Sequence, residues 1–362
     1  SDQTVLAHVD DLLIMGTSSE ANKTLHTTLL RKYQKVSWEE QSESFVGTQI
    51  TRTSEGGYKL SMPGYCSTIT RDLGLPLHVG DVDSKGKVMS HPVLSPWYHP
   101  GAHATEVPIP DWDLERIRDR LRIMVGRAQW CLENTRLEIA NDLNKIARTM
   151  HKPTNFTVRR AERLLLYLMS TASDGPIYSP HVSETPEAYV DASWISEEHT
   201  DSRAGYCLRL APLDKDGPSA AYLVFSKVMK KVCLSTEHAE MMAISECIRE
   251  IIRQRNFLHE LGSPQQVPTF IGEDNSGTVT YAHSEKLGDR SKHLHVLMRH
   301  IREEQRDGLI DVVKVHTTVQ WADMDTKTLE PEVYLRQKAV RLGTAGGLQS
   351  QDQPLEKSGN AL

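Results

Sequence analysis

From Glu187 onward the sequence admits few folds. Residues 187–192 alternate as a strand, and 204–210, 219–226 and 229–234 follow as three more short apolar runs. Helix-forming sequence then spans about 236–261, and a strand ends at Gly272-Glu273-Asp274. Helical stretches lie near 276–283 and 291–306, a strand covers 309–315, and a last helical piece begins near Ala322. Strands first, then helices alternating with strands, predict an α/β domain on a mixed sheet with flanking helices.

The preceding half reads differently. Residues 4–15 are two short apolar runs around Asp10-Asp11, a β-hairpin pattern, and 19–36 look helical. Residues 44–62 predict two strands joined at Glu55-Gly56-Gly57. Pro76, Pro92, Pro96, Pro100, Pro108 and Pro110 crowd into 76–110, which reads as a linker. Helical periodicity fills 112–172, with a second helix from about Val158 to Met169, and Pro176 and Pro180 mark the next boundary. The expected division is therefore 1–75, a Pro-rich linker over 76–111, a helical region over 112–180, the α/β domain over 186–343, and a disordered, Gly-, Gln- and Ser-rich tail over 344–362. The chain opens at Ser1 and enters a structural element almost at once, with no signal peptide, so it reads as a piece of a longer polypeptide.

Composition narrows the function. With 42 Lys and Arg against 48 Asp and Glu, the net charge of −6 excludes a globally basic nucleic-acid sleeve, though not a local basic groove. No stretch approaches the roughly 20 apolar residues of a membrane span. Cys66, Cys131, Cys207, Cys233 and Cys247 form no C-x-x-C pair, which argues against a zinc ribbon or a disulfide scaffold and suits a reducing compartment.

The carboxylates are more telling. Asp191 and Asp274 each end a predicted strand, where open α/β sheets build their sites, although Asp there also serves as turn former or helix cap. In the helix that starts after Ser235 or Thr236, ~100° per residue puts Glu240 on one face with Ile244, Cys247 and Ile251. A carboxylate in that apolar stripe needs a cation, a metal or a donor. Glu237 lies on the flank of the same face and is the fallback. Asp323 would open the last helix, where the dipole favours an acid in any case. Asp191, Glu240, Asp274 and Asp323 together suit a pair of divalent metals acting on a phosphodiester, and no P-loop, H-E-x-x-H or C-x-x-C competes for the role.

Several segments resemble the pol polyprotein of copia-type LTR retrotransposons. His8-Val9-Asp10-Asp11-Leu12 is similar to the reverse-transcriptase Y-V-D-D hairpin, with His8 in place of Tyr, and Phe45-Val46-Gly47 to an F-L-G-I segment. Arg122 to Pro153, with Gly126, Thr135-Arg136 and Ile139-Ala140, is similar to the connection region. Tyr189-Val190-Asp191-Ala192, Leu234 to Ala243, Glu273-Asp274-Asn275-Ser276, Ser291 to His295 and Ala322-Asp323-Met324-Asp325-Thr326-Lys327 resemble the RNase H motifs in family order. The sequence departs from the family at Met324 and Asp325, which replace aliphatics, and in an expanded connection over 211–220.

The resemblance implies a partial reverse-transcriptase palm and connection region followed by an RNase H-like domain. That domain would cleave RNA in RNA–DNA hybrids with two Mg²⁺ or Mn²⁺ held by Asp191, Glu240, Asp274 and Asp323. Asp10 and Asp11 would be a polymerase remnant, with the third palm carboxylate and the fingers expected upstream, so primer extension is not expected of this stretch alone. Implied partners are the hybrid and the rest of the polyprotein, with no membrane; an intracellular particle or the nucleus is the implied location, and DNA integration the implied process.

Ser193, Asn275 and Ser276 sit beside the acids and could meet a 2′-hydroxyl. The Arg-rich stretches 114–127 and 285–306 could contact phosphates, with solvated helix faces the default reading. His316, in a predicted loop before Asp323, is read as ordinary. A catalytically silent element remnant or nucleic-acid-binding module is the alternative function. A transposase or integrase is disfavoured, because Glu240 precedes Asp274 in the chain.

Overall fold

The hairpin around Asp10-Asp11 forms: β1 (Gln3–His8) pairs antiparallel with β2 (Asp11–Gly16), His8 opposite Asp11. A computed structural model of the chain describes residues 3–16, 18–33, 35–40, 42–73, 93, 95–96, 104–195, 201–214, 217–284 and 294–346. Most of the expected linker and nearly all of the expected tail lie outside these residues, as do Lys286, Arg290 and Ser291 to His293. The chain divides into two units. The first takes residues up to Ile177 together with Glu250–Gln266, and the second takes Tyr178–Arg249 and the chain from Val267.

In the first unit the hairpin is followed by α1 (Ser19–Lys32), started by Ser18, whose side chain accepts from the Ala21 amide. Next come β3 (Ser44–Phe45), β4 (Thr48–Arg52) and β5 (Tyr58–Ser61), an antiparallel set turned at Gly56, whose φ of 88° explains the glycine. Of the expected partial palm only this hairpin is seen: β1 and β2 form a two-stranded sheet, and among the described residues no further strand joins them. A palm is a larger sheet, and two strands alone lack the neighbours that would give their faces a core.

Helices α2 (Pro63–Asp72), α3 (Asp111–Asn134), α4 (Ala140–Thr149) and α5 (Asn155–Ser170) follow, the last opened by a Thr154–Thr157 capping box, and then the short β6 (Ile177–Tyr178). Their packing centres on a buried ion pair. Arg136 Nε lies 2.8 Å from Glu138 Oε1, with neither side chain exposed. The guanidinium donates to the Thr171 carbonyl and hydroxyl at 3.0 and 2.6 Å and stacks 5.2 Å over the Tyr167 ring. The Tyr167 hydroxyl donates to Glu138 at 3.0 Å. By contrast Arg116 and Arg122 lie on the solvated face of α3, paired one turn back with Asp113 and Asp119.

The second unit begins with three antiparallel strands, β7 (Val182–Ser193), β8 (Arg203–Pro212) and β9 (Ala221–Val228). The expected fourth strand over 229–234 does not form. Lys230-Lys231 interrupts the apolar run, and Val232 and Leu234 are 83% and 63% exposed. This stretch instead leads into α6 (Thr236–Glu260), of which Thr236–Arg249 belongs to this unit, and the Ser235 hydroxyl accepts from the His238 amide at 3.2 Å. Then come β10 (Thr269–Glu273), α7 (Ser276–His283), α8 (His295–Arg306) and β11 (Ile310–Lys314). The expected last helix is two helices, α9 (Asp323–Thr326) and α10 (Pro331–Arg341), because Pro331 starts a new one. The five-stranded sheet runs β11-β10-β7-β8-β9, with β10 parallel to both β7 and β11. The mixed sheet with flanking helices is thus as the pattern required.

Truncating one partner of a buried ion pair leaves the other charged and uncompensated, at about 3–5 kcal/mol. Arg136→Leu should therefore destabilise the first unit by about that much, whereas Arg122→Leu should be near neutral; urea melts of the two variants check the contrast.

Candidate active site

Because β7 and β10 are parallel neighbours, their carboxyl ends open at the same edge of the sheet. The paired register ends at Gly272 opposite Tyr189, just before Glu273 and Asp274 on one strand and Val190 and Asp191 on the other. Asp191 is 1% exposed and Glu273 is fully buried, while Asp274 is half-buried. On α6, Glu240 is 3% exposed among fully buried Ile244, Cys247 and Ile251, the face that its spacing assigned to it. Glu237, on the flank, is half-buried.

The fourth acid arrives by a close approach. Gly205 on β8 is the pairing partner of Asp191, and a Cβ there would fall 2.7 Å from both the Asp325 Cβ and the Thr326 methyl. The glycine lets α9 lie directly on the strand. Several bonds anchor that turn. Arg341 makes a bidentate pair with Asp325 at 3.0 and 2.8 Å and donates to the Trp321 carbonyl at 2.8 Å. The Gln320 amide donates to the Val190 carbonyl at 2.8 Å, Gln337 accepts from the Met324 amide at 3.1 Å, and Ser226 donates to the Asp325 carbonyl at 2.6 Å.

Thr326 and Lys327 are thereby brought onto Asp191. The Thr326 hydroxyl donates to Asp191 Oδ2, and Lys327 Nζ lies 3.2 Å from Asp191 Oδ1 while also bonding Asp323 Oδ1. Asp191, Asp323 and Lys327 thus form one cluster. Glu240 and Glu273 lie within its field: burial, then Glu273, Asp191 and Asp274, push the Glu240 carboxyl well above its ordinary range. Glu273 is pushed up to about 8, chiefly by burial. Burial and then Asp191 lift Asp323 to about 6, and burial also raises Asp191 despite its lysine.

Glu240 Oε2 and Glu273 Oε2 are buried without a hydrogen-bond partner. Sequence reasoning used Glu273 only as part of a motif. The signal was present: on a strand of period two, Glu273 continues the buried row Thr269, Ile271, as Glu240 continues its helical stripe. Lys327 was likewise legible as the residue four beyond Asp323. As placed, no three His, Cys, Asp or Glu side chains among the described residues form a group that could hold a metal ion.

The remaining site expectations separate. Asp10 and Asp11 are exposed at the hairpin turn in the first unit, next to Val9, which has a φ of 55°, unusual for a β-branched residue. Ser193 ends β7 half-buried, and Ser276 opens α7 exposed. Asn275 caps α7, its side-chain oxygen accepting from the Thr278 amide at 3.0 Å, and so has a structural duty. His316 caps a short turn, accepting from the Thr318 amide at 3.2 Å. Arg299 pairs with Glu303 at 2.8 Å on the face of α8. No described helix is long and apolar enough to cross a membrane.

No family model matches the chain. Sequence comparison does find relatives. The chain is 27% identical over 335 residues to the Retrovirus-related Pol polyprotein from transposon RE1 of Arabidopsis thaliana, covering 90% of this chain and 20% of that protein. Its homologues are Pol polyproteins of copia-type transposons. The Pol polyprotein from transposon RE2 of the same plant is 27% identical over 337 residues, covering 90% of this chain and 21% of that protein. The Transposon Ty1-LR3 Gag-Pol polyprotein of Saccharomyces cerevisiae is 22% identical over 342 residues, covering 91% of this chain and 18% of that protein. The chain therefore spans about a fifth of the length of these relatives. Among solved structures, LC11-RNase H1 in complex with an RNA/DNA hybrid matches 39% of this chain and 93% of its own, at 12% identity and a TM-score of 0.29.

The raised Glu273 value has a measurable consequence. A carboxyl ordinarily near 4.5 that titrates near 8 when folded binds its proton more tightly in the native state. Its stabilising effect is full below 4.5 and is lost as pH rises to 8. Unfolding free energy without metal should therefore fall across that window by up to about 1.4 kcal/mol per pH unit from this group, and the melting temperature should fall with it. In thermal melts Glu273→Gln should flatten the slope.

Proposed function

We propose that the second unit is an RNase H-like nuclease of a transposon Pol polyprotein, cleaving the RNA strand of RNA–DNA hybrids with divalent-metal assistance. The observation that carries this reading is the acid cluster at the carboxyl edge of the mixed sheet. Asp191, Glu273 and Asp274 come from adjacent parallel strands, Asp323 is joined to Asp191 through Lys327, and Glu240 enters from α6. The order of three antiparallel strands followed in the chain by two parallel ones supports the fold reading. The Pol relatives support the biological setting.

The donor set fits a hard divalent cation. It is all carboxylate, and two of its buried oxygens, on Glu240 and Glu273, have no other partner. Asp191, Glu240, Asp274 and Asp323 would hold Mg²⁺ or Mn²⁺, with the buried Glu273 behind them. The bound metal pair would activate a water and stabilise the leaving oxygen. Asp191 is the shared centre of the set, held by Thr326. Ser193 and Ser276 stand at the rim, where a hydroxyl can meet a ribose 2′-hydroxyl and distinguish RNA from DNA.

A second reading, a hybrid-binding unit without cleavage, draws on one observation: Lys327 bridges Asp191 and Asp323, the two acids that a metal would need. Cleavage of a labelled RNA–DNA hybrid in Mg²⁺ and in Mn²⁺ separates the two. The nuclease reading expects metal-dependent cuts in the RNA strand; binding without cuts in either metal selects the second.

Asp191→Asn and Asp274→Asn each remove a charge from the metal site at constant size, and should lower cleavage more than the ~100-fold typical of outer-shell changes. Glu240→Gln should do the same. Glu237→Gln, from the flank of the helix, should retain most activity, and equal loss from the two glutamates would reject the assignment of Glu240.

A further inference from the structure

We propose that the Lys327 ammonium is a built-in counter-ion occupying the cation position between Asp191 and Asp323, so that a divalent ion reaches that pair only by displacing it. The inference rests on the reading of these acids as metal ligands and adds an order of occupation to it.

The cluster has two unlike poles. At one, Lys327 Nζ is 3.2 Å from Asp191 Oδ1 and bonded to Asp323 Oδ1, and the Thr326 hydroxyl takes the other Asp191 oxygen. Negative charge there is partly answered by the one ammonium. At the other, Glu240 Oε2 and Glu273 Oε2 are buried and unpartnered, and Asp274 lies close enough to raise both carboxyls. Entering cations meet an open demand at the second pole and a partly occupied one at the first.

The three bridged side chains also differ in freedom. Asp191 is 2% and Asp323 11% exposed at the side chain, so neither can withdraw, whereas Lys327 is 43% exposed on a flexible four-carbon stem. The lysine is the member with room to move. Because it follows Asp323 by one helical turn, its stem starts on the same side of the site, and the ammonium can swing to water while the carboxylates stay in place. The arrangement keeps Asp191 and Asp323 together without metal, at the expense of affinity for the ion that belongs between them.

Mn²⁺ titration of the whole chain, read as free Mn²⁺ by electron paramagnetic resonance, tests this without reference to cleavage. Wild type should bind a first ion more tightly than a second. Lys327→Met should tighten the weaker step at least tenfold, since it removes a unit positive charge at contact distance from a part-buried anion pair. Lys327→Arg, which keeps the charge, should behave as wild type. Without metal, Lys327→Met should melt lower, and Mn²⁺ should raise its melting temperature by more than it raises that of wild type. Lys327→Gln, which keeps a donor but no charge, gives the same expectation should the methionine fold poorly. Identical isotherms for wild type, Lys327→Met and Lys327→Gln, with Mn²⁺ bound, overturn the counter-ion and leave the metal site standing. No bound Mn²⁺ in any of the proteins overturns the metal reading itself, and the counter-ion with it.

Discussion

The acid cluster depends on an ion pair that is not part of it. Arg341, on the last helix, grips Asp325 with two nitrogens, and both side chains are 1% exposed. The pair holds a four-residue helix too short to be stable alone, and that helix carries Asp323 and Thr326 and leads directly into Lys327. Leaving either charge without its partner costs about 3–5 kcal/mol. The loss would fall on the one turn that closes the site. Asp325 looks like a departure from the aliphatic pattern of the Pol motif, yet the arginine sixteen residues on makes it an anchor.

The first unit uses the same device for another end. Arg136 and Glu138 are unexposed, and their remaining hydrogen-bonding capacity goes to Thr171 and Tyr167. There the pair ties the turn after α3 to the end of α5. In both units a charged residue buried beside a helix end fixes where the next element starts, a job that apolar packing does with less directional precision.

Much of this was legible in the sequence because burial leaves a period. Glu240 stood out as an acid in a 3.6-residue stripe, and the sheet followed from apolar runs separated by turn residues. Glu273 carried the same kind of signal at period two, obscured by Asp274 beside it, which sits at the more familiar strand-end position. The segment 229–234 misled because apolar composition alone does not report exposure: Val232 and Leu234 face water. The hairpin at Asp10-Asp11 was correctly placed as local structure, but local pattern does not say which strands will flank it. Least legible was the Asp325–Arg341 pair, since partners on separate helices share no periodicity.

Gly205 has a consequence for reading other copies of such elements. The notch between β8 and α9 is as deep as the difference between a hydrogen and a methyl group, and it lies opposite Asp191. A copy can keep all its carboxylates and still lose the geometry that unites them if position 205 acquires a side chain. An inventory of the acidic residues alone would score that copy intact. The glycine, which has no chemistry of its own, records whether the last acid is able to come within reach of the first.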